Sequence, residues 1–257
     1  FLSYVVAAFM AHPNWHEVFV NTFIPHFIKS TAFAQGAIAL LGTTLTSYAY
    51  VWEEISVAEE RPPIRRLGLV QVDAALGTVI AGLSFWFIVI ATGATLGIHH
   101  KDVQTAQDAA EALQPFAGRW APIVFGVGLL GSSLIAVPVL GATSAYVVAE
   151  LFGWRRGISK HFGQAPRFFL VFAGVVVTAL IAAFVGVPPI KLLFISSIAG
   201  GLATPITLAF MLMVASNRKV MKTHVPPLWL RIAGWCTFAI VTGAAGFFLY
   251  QTFTGQS

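Results

Sequence analysis

Leu41-Gly42-Thr43-Thr44-Leu45-Thr46-Ser47-Tyr48 lies near the middle of an apolar run from Ala32 to Val57. The run is long enough for a transmembrane helix, since a hydrocarbon core about 30 Å thick needs about 20 apolar residues. Its centre, however, holds a glycine and four hydroxyl residues within the six positions Gly42–Ser47. Glycine weakens a helix, and Ser and Thr side chains offer the local backbone an alternative partner. Two readings stand side by side. An unwound stretch would free carbonyl oxygens at mid-membrane depth, as broken helices do at the ion sites of secondary transporters. A continuous helix packed closely through small residues would use the same side chains without any ion.

The rest of the chain fits a membrane setting. Of 257 residues, 57% are hydrophobic and 10% charged, with a mean hydropathy of +0.80. Soluble domains carry roughly 25% charged residues, so a soluble enzyme or binding module is excluded, and disorder is excluded by the same composition. Beside Ala32–Val57, the runs Leu69–Ile98, Trp120–Leu151, Phe168–Val187, Pro189–Ser216 and Pro227–Phe253 are long and apolar enough to span. Phe1–Met10 reads as the tail of another span, with no charged region and cleavage site to make it a signal peptide. The expectation is an all-α, multi-pass integral membrane protein. It forms one transmembrane domain over residues 1–257 and reads as an N-terminally truncated fragment. Helices are the expected form because each segment must satisfy its own backbone in lipid.

The 15 Lys and Arg residues sort the connections. Four fall in odd-numbered connections and eleven in even-numbered ones, including Arg61, Arg65 and Arg66, then Arg155, Arg156, Lys160 and Arg167, then Arg218, Lys219, Lys222 and Arg231. The positive-inside rule places the even connections in the cytoplasm and the C-terminus outside. The net charge of +5 is thereby explained by topology, and no nucleic-acid partner is implied. Cys236, the only cysteine, rules out an internal disulfide. Arg61-Pro62-Pro63 predicts a stiff turn. Val103, Ala106, Ala110 and Leu113 predict a short helix in the third connection, with Asp102 as its N-cap.

Polar groups inside spans are costly and tend to mark function. Glu53 lies seven residues past Thr46, about 10 Å along a helix, and can line the inner half of a cation path. Glu54, Glu59 and Glu60 read as charges at the cytoplasmic end. Pro189–Ser216 carries Ser196, Ser197, Gly200, Gly201, Thr204 and Pro205; its proline and paired glycines can kink a helix, and close helix packing explains the same residues nearly as well. Gly131-Ser132-Ser133 and Pro138 give Trp120–Leu151 a weaker version of that reading. His12 and His16 have the spacing of a helical metal pair. With His26, His99 and His100 they fall on the outer side, yet Pro13 interrupts the pair and no acidic array accompanies it. Walker A, nucleophile-elbow and HExxH patterns are absent from the sequence. No catalytic residue and no bound cofactor are expected, and the chain is not read as an enzyme.

The ordered motifs resemble the Nramp divalent-metal transporters over nearly the whole chain. Ala39-Leu40-Leu41-Gly42-Thr43-Thr44-Leu45-Thr46-Ser47-Tyr48 is similar to that family's sixth transmembrane helix. Asp108-Ala109-Ala110-Glu111-Ala112-Leu113, Gly131, Ala136-Val137-Pro138-Val139-Leu140, Ala145-Tyr146 and Ala149-Glu150-Leu151-Phe152-Gly153-Trp154 resemble the region of its eighth. Pro189-Ile190-Lys191-Leu192-Leu193 and Ala215-Ser216-Asn217-Arg218-Lys219-Val220-Met221 resemble the bounds of its tenth.

The resemblance implies a LeuT-like inverted-repeat fold. The chain would be the end of helix 5, the second repeat (helices 6–10) and helix 11. Helices 1–5, with the metal-binding Asp and Asn of helix 1, would be missing partners from the same protein. It also implies a ligand region at Thr43, Thr46, Ser47 and Tyr48, where the family pattern is Ala-x-x-Met-Pro-His. Thr43 would offer its carbonyl. A hydroxyl replaces the thioether at Thr46, and Tyr48 stands for His. Ser197 is a further candidate ligand, and Glu53 matches a second family His. Oxygen donors suit Mg²⁺, Ca²⁺ or Mn²⁺ better than softer metals, and Mg²⁺ keeps several waters. The implied cargo is a divalent cation of the Mg²⁺ or Mn²⁺ class, carried across the plasma membrane of a prokaryote by alternating access. A LeuT-like carrier of amino acids or other organic solutes and a non-transporting membrane scaffold are the alternatives.

Overall fold

A computed structural model describes residues 2–24, 30–60, 63, 66–97, 103, 105–186, 188–222 and 225–254. The elements are α1 (Leu2–Met10), α2 (Trp15–Phe23), α3 (Thr31–Thr44), α4 (Ser47–Glu60), α5 (Leu67–Thr95), α6 (Ala106–Ala110), α7 (Gln114–Ala117), α8 (Ala121–Leu151), α9 (Pro166–Phe184), α10 (Pro189–Ser216), α11 (Arg218–Met221) and α12 (Leu228–Thr254), joined in places by single 3₁₀ turns. No strand occurs among the described residues. Among the described residues, five helices, α5, α8, α9, α10 and α12, are long and apolar enough to cross a membrane. The chain is thus an all-α integral membrane protein.

Local chemistry sets the helix ends. Ser30 caps α3, its Oγ accepting from the Phe33 N–H at 3.1 Å. Proline at the first position opens α9, where its missing N–H removes no intrahelical bond. The short helix α6 begins at Ala106, later than the sequence pattern implied. Thr105 is its cap: Thr105 Oγ1 accepts from the Asp108 N–H at 3.1 Å, and Asp108 accepts from the Thr105 N–H at 2.8 Å. That reciprocal capping box displaces the expected Asp102 cap, and Asp102 itself lies outside the described residues. Arg61 and Pro62 also lie outside them, while the Pro63 carbonyl accepts from the Arg66 N–H at 2.7 Å.

α8 runs unbroken through Gly131–Ser133 and Pro138, and α10 runs unbroken through Gly200, Gly201 and Pro205. A proline removes only one backbone bond, and neighbouring groups in a membrane protein can absorb that loss. Ser132 and Ser133 donate to the Leu129 and Leu130 carbonyls within their own helix.

The chain divides into two compact units. The first comprises Phe1–Ile24 and Val51–Lys191. Within it, Ala7 and Ala8 of α1 pack with Ile90 and Ala91 of α5, Leu113 and Ala121. A second cluster sets Ala142, Ala145, Tyr146 and Ala149 of α8 against Ala165 and Phe168. Alanines recur at these contacts because lipid offers no hydrophobic gain for helix association, so close van der Waals approach must supply it. The other unit comprises Pro25–Tyr50 and Leu192–Ser257. Its core joins Ala34 and Ile38 of α3 to Ala245 and Phe248 of α12.

Candidate functional site

The helix α3 ends in the middle of the hydroxyl-rich stretch. Its last backbone bond runs from the Leu45 N–H to the Leu41 carbonyl at 2.8 Å, and Leu45 leaves the helical region with φ −105° and ψ 55°. Regular helix resumes at Ser47 as α4. The interruption therefore occupies Leu45 and Thr46. The side chains show why the ladder stops here. Thr43 Oγ1 donates to the Ala39 carbonyl at 2.9 Å, and Thr44 Oγ1 donates to the Leu40 carbonyl at 2.8 Å. Such back-bonding bends helices. The carbonyls of Gly42, Thr43 and Thr44 belong to the final turn, which has no intrahelical amides left to pair with. That turn carries partial negative charge, which attracts cations.

α10 supports the interruption at two points. The Thr43 hydroxyl also lies 2.9 Å from Ser197 Oγ, so its single proton is shared between that oxygen and the Ala39 carbonyl, while Ser197 donates to the Leu193 carbonyl at 2.8 Å. Thr204, fully buried, donates to the Leu45 carbonyl at 2.8 Å and reaches the Gly200 carbonyl at the same distance. Between these contacts the two backbones touch. A Cβ on Gly42 would strike the Ser197 carbonyl and lie 2.9 Å from the Gly201 Cα, and a Cβ on Gly201 would strike the Ile38 carbonyl. Glycine is required here by close approach.

The sequence-derived candidates divide in the structure. Thr43 and Ser197 are brought together, although Ser197 sits on an intact helix rather than a broken one. Thr46 lies in the interruption and Ser47 and Tyr48 follow it in the first turn of α4, and among the described residues their hydroxyls make no hydrogen bond. Tyr48 is exposed. Glu53 is exposed on the part of α4 that belongs to the first unit. Thr204 carries the Leu45 contact, a role that its sequence position beside Gly200, Gly201 and Pro205 hinted at only through local crowding. Among the described residues no group of three or more His, Cys, Asp or Glu side chains could hold a metal. His26, His99 and His100 lie outside the described residues.

A second polar arrangement escaped the sequence reading. Tyr146, 2% exposed among the alanines of α8, donates to Glu59 Oε1 at 2.6 Å and accepts from the Ile158 N–H at 2.8 Å. Trp52 and Phe168 meet its ring edge-on at 6.5 and 4.8 Å. An open cavity of about 1150 Å³ adjoins it, lined among others by Glu59, Arg155, Arg156 and Lys160. The Glu59 charge, read from sequence as a plain helix-end acid, therefore ties the end of α4 to α8 and to the loop that follows α8. Tyr146→Phe is expected to cost about 1.5–3 kcal/mol, the contribution of a hydrogen bond to a charged group. A thermal-unfolding double-mutant cycle with Glu59→Gln checks it. Simply additive losses would show that the bond contributes nothing.

The family described as natural resistance-associated macrophage protein-like (Nramp) matches residues 1–251. The divalent metal cation transporter MntH of Clostridium acetobutylicum is 24% identical over 262 residues, covering 100% of this chain and 58% of that protein. The proteins of the same name from Ralstonia nicotianae and Deinococcus radiodurans are each 25% identical, over 99% of this chain and 59% and 57% of their own lengths. The chain thus spans somewhat under three-fifths of the relatives it matches.

Proposed function

We propose that this chain, which belongs to the Nramp family, forms part of a transporter of divalent metal cations and supplies the broken helix of its ion site. The observation that carries this reading is the interruption at Leu45–Thr46, with α3 carbonyls unpaired by helix geometry and free hydroxyls beside them. Half-helix C-terminal ends and unwound carbonyls are how discontinuous membrane helices hold cations. Neither α3 nor α4, at 14 residues each, meets the roughly 20 that a span requires. In this reading they cross the membrane together, with the interruption inside it.

The roles follow from the chemistry of each group. The Thr43 carbonyl binds the ion, and its side chain, tethered to Ser197, fixes that carbonyl. Thr46 contributes its hydroxyl directly or through a retained water. Ser47 and Tyr48 shape the entry to α4, and Glu53 guides ions toward the cytoplasm. Further ligands come from a segment outside this chain, corresponding to the first helices of the family. All donors named here are oxygens, which favours hard cations of the Mg²⁺ or Mn²⁺ class. Transport proceeds by alternating access in the plasma membrane, with the Arg- and Lys-rich connections cytoplasmic and the C-terminus outside.

Thr46→Met in the full-length protein tests the ligand assignment. A thioether in place of the hydroxyl is expected to shift the Mg²⁺-to-Mn²⁺ uptake ratio toward Mn²⁺ by roughly tenfold, the effect of about 1.4 kcal/mol of differential binding. An unchanged ratio would remove Thr46 from the site.

A further inference from the structure

We infer that the crevice between the end of α8 and the start of α9 binds the phosphate headgroup of an anionic lipid. The crevice has a volume of about 430 Å³, and Trp154, Arg155, Gln164 and Arg167 are among the residues that line it. No acidic residue lines it. The neighbouring Arg156 is committed to an ion pair with Glu150. Among the described residues, Arg155 and Arg167 have no carboxylate partner. Two guanidinium groups therefore line one opening whose own walls hold no carboxylate, Arg155 standing also at the edge of the cavity that Glu59 lines. Guanidinium is the side chain best matched to phosphate, through paired parallel N–H donors.

The crevice is built rather than incidental. The Trp154 N–H donates to the Ala149 carbonyl at 2.8 Å, which fixes the turn out of α8. The Trp154 ring stacks on Phe152 at 5.0 Å, and the Arg167 guanidinium lies 5.3 Å from the Trp154 ring centroid. That cation–π contact restrains Arg167 while leaving its N–H edges open. The far wall is a tight turn in which the His161 carbonyl accepts from the Gln164 N–H at 2.9 Å.

Position selects a lipid over a free phosphate ion. The crevice sits between two membrane-spanning helices, so it lies at the membrane surface whichever side faces the cytoplasm. Next in the chain to its lining residues, Leu151, Phe152 and Phe162 are 78, 61 and 59% exposed. Apolar side chains beside unpaired guanidiniums reproduce the join between acyl chains and headgroup. Basic pockets between transmembrane helices hold anionic headgroups by this combination. A soluble phosphate compound would gain nothing from the apolar rim.

The test uses the full-length protein in detergent, with phosphatidylglycerol or phosphatidylcholine added at equal mole fraction. Lipid retention is read by native mass spectrometry and stability by thermal shift. Phosphatidylglycerol is expected to be retained preferentially and to raise the unfolding temperature. Combining Arg155→Gln with Arg167→Gln is expected to lower its retention about tenfold or more. Combining Lys219→Gln with Lys222→Gln removes the same charge from another loop and is expected to leave retention unchanged. Arg167→Lys is expected to fall between, since it keeps the charge and loses the planar fork. Equal retention by the Arg155/Arg167 variant overturns the proposal. So does an equal loss in the Lys219/Lys222 variant, which would indicate diffuse charge. Stabilisation by soluble glycerol phosphate matching that by phosphatidylglycerol would assign the crevice to a free phosphate compound instead.

Discussion

Gly42→Ala in the full-length protein is expected to abolish the proposed metal uptake and to lower stability by about 3 kcal/mol or more, the upper end of overpacking costs. The added methyl group would meet the Ser197 carbonyl and the Gly201 backbone. Neither obstacle is the tip of a flexible side chain, so no rotamer change relieves the collision. The backbones of α3 and α10 would have to separate. Separation would break the Thr43–Ser197 and Thr204–Leu45 contacts together, because both span the same interface at 2.9 and 2.8 Å. Gly36→Ala is the matched control. Gly36 lies in the same helix, with nothing within 4 Å of the position of its Cβ. There the substitution is expected to be neutral or stabilising by up to about 1 kcal/mol, because alanine loses less entropy in a helix. Thermal unfolding in detergent and uptake into proteoliposomes separate the two variants. Equal behaviour would sink the claim that backbone contact at Gly42 holds the interruption in place.

Thr204→Val is expected to weaken the contact between α3 and α10. Shape and volume are kept, but the Leu45 carbonyl loses the hydroxyl donor that reaches it at 2.8 Å. Leaving a buried acceptor unsatisfied costs about 1–3 kcal/mol. Thr204→Ser retains the hydroxyl and is expected to restore most of the loss, with only a small penalty for the missing methyl group. Uptake should follow the same order, threonine above serine above valine. A valine variant as stable and as active as the parent would mean that the Leu45 carbonyl finds another donor, and the buttress assigned to Thr204 would be wrong.

Much of the architecture was readable before any coordinates. Apolar runs of sufficient length announced helices, because a chain in lipid has few other ways to satisfy its backbone. The interruption between α3 and α4 was legible as one of two outcomes, since Gly42, Thr43, Thr44, Thr46 and Ser47 serve a broken helix and a tightly packed one about equally well. In the structure they do both: Gly42 packs against α10, and two residues later the helix ends. In α10 and α8 the glycines and prolines left the same choice open, and there the helices continue, with Gly200 and Gly201 of α10 in close contact with α3. What differs is the partner. Paired glycines bring a neighbouring backbone near, and only the third dimension tells which of the two helices yields.

The polar contacts between distant segments were the least legible. Tyr146 meets Glu59 across 87 positions of sequence, and Thr204 meets Leu45 across 159. Nothing in local pattern pairs them. The short helix α6 shows the opposite case, where the start was misplaced because Thr105 and Asp108 satisfy each other more fully than Asp102 would have. The guanidinium pair at Arg155 and Arg167 was counted in sequence only as evidence of topology. Its juxtaposition across a tight loop gives those charges a second use.

Thr204 has a single hydroxyl proton and two carbonyl oxygens, those of Leu45 and Gly200, equally near at 2.8 Å. The proton can therefore change allegiance without ever being stranded. Were the Leu45 peptide to move away, the hydroxyl would keep an acceptor in its own helix, so the buried side chain is satisfied with or without its partner across the interface.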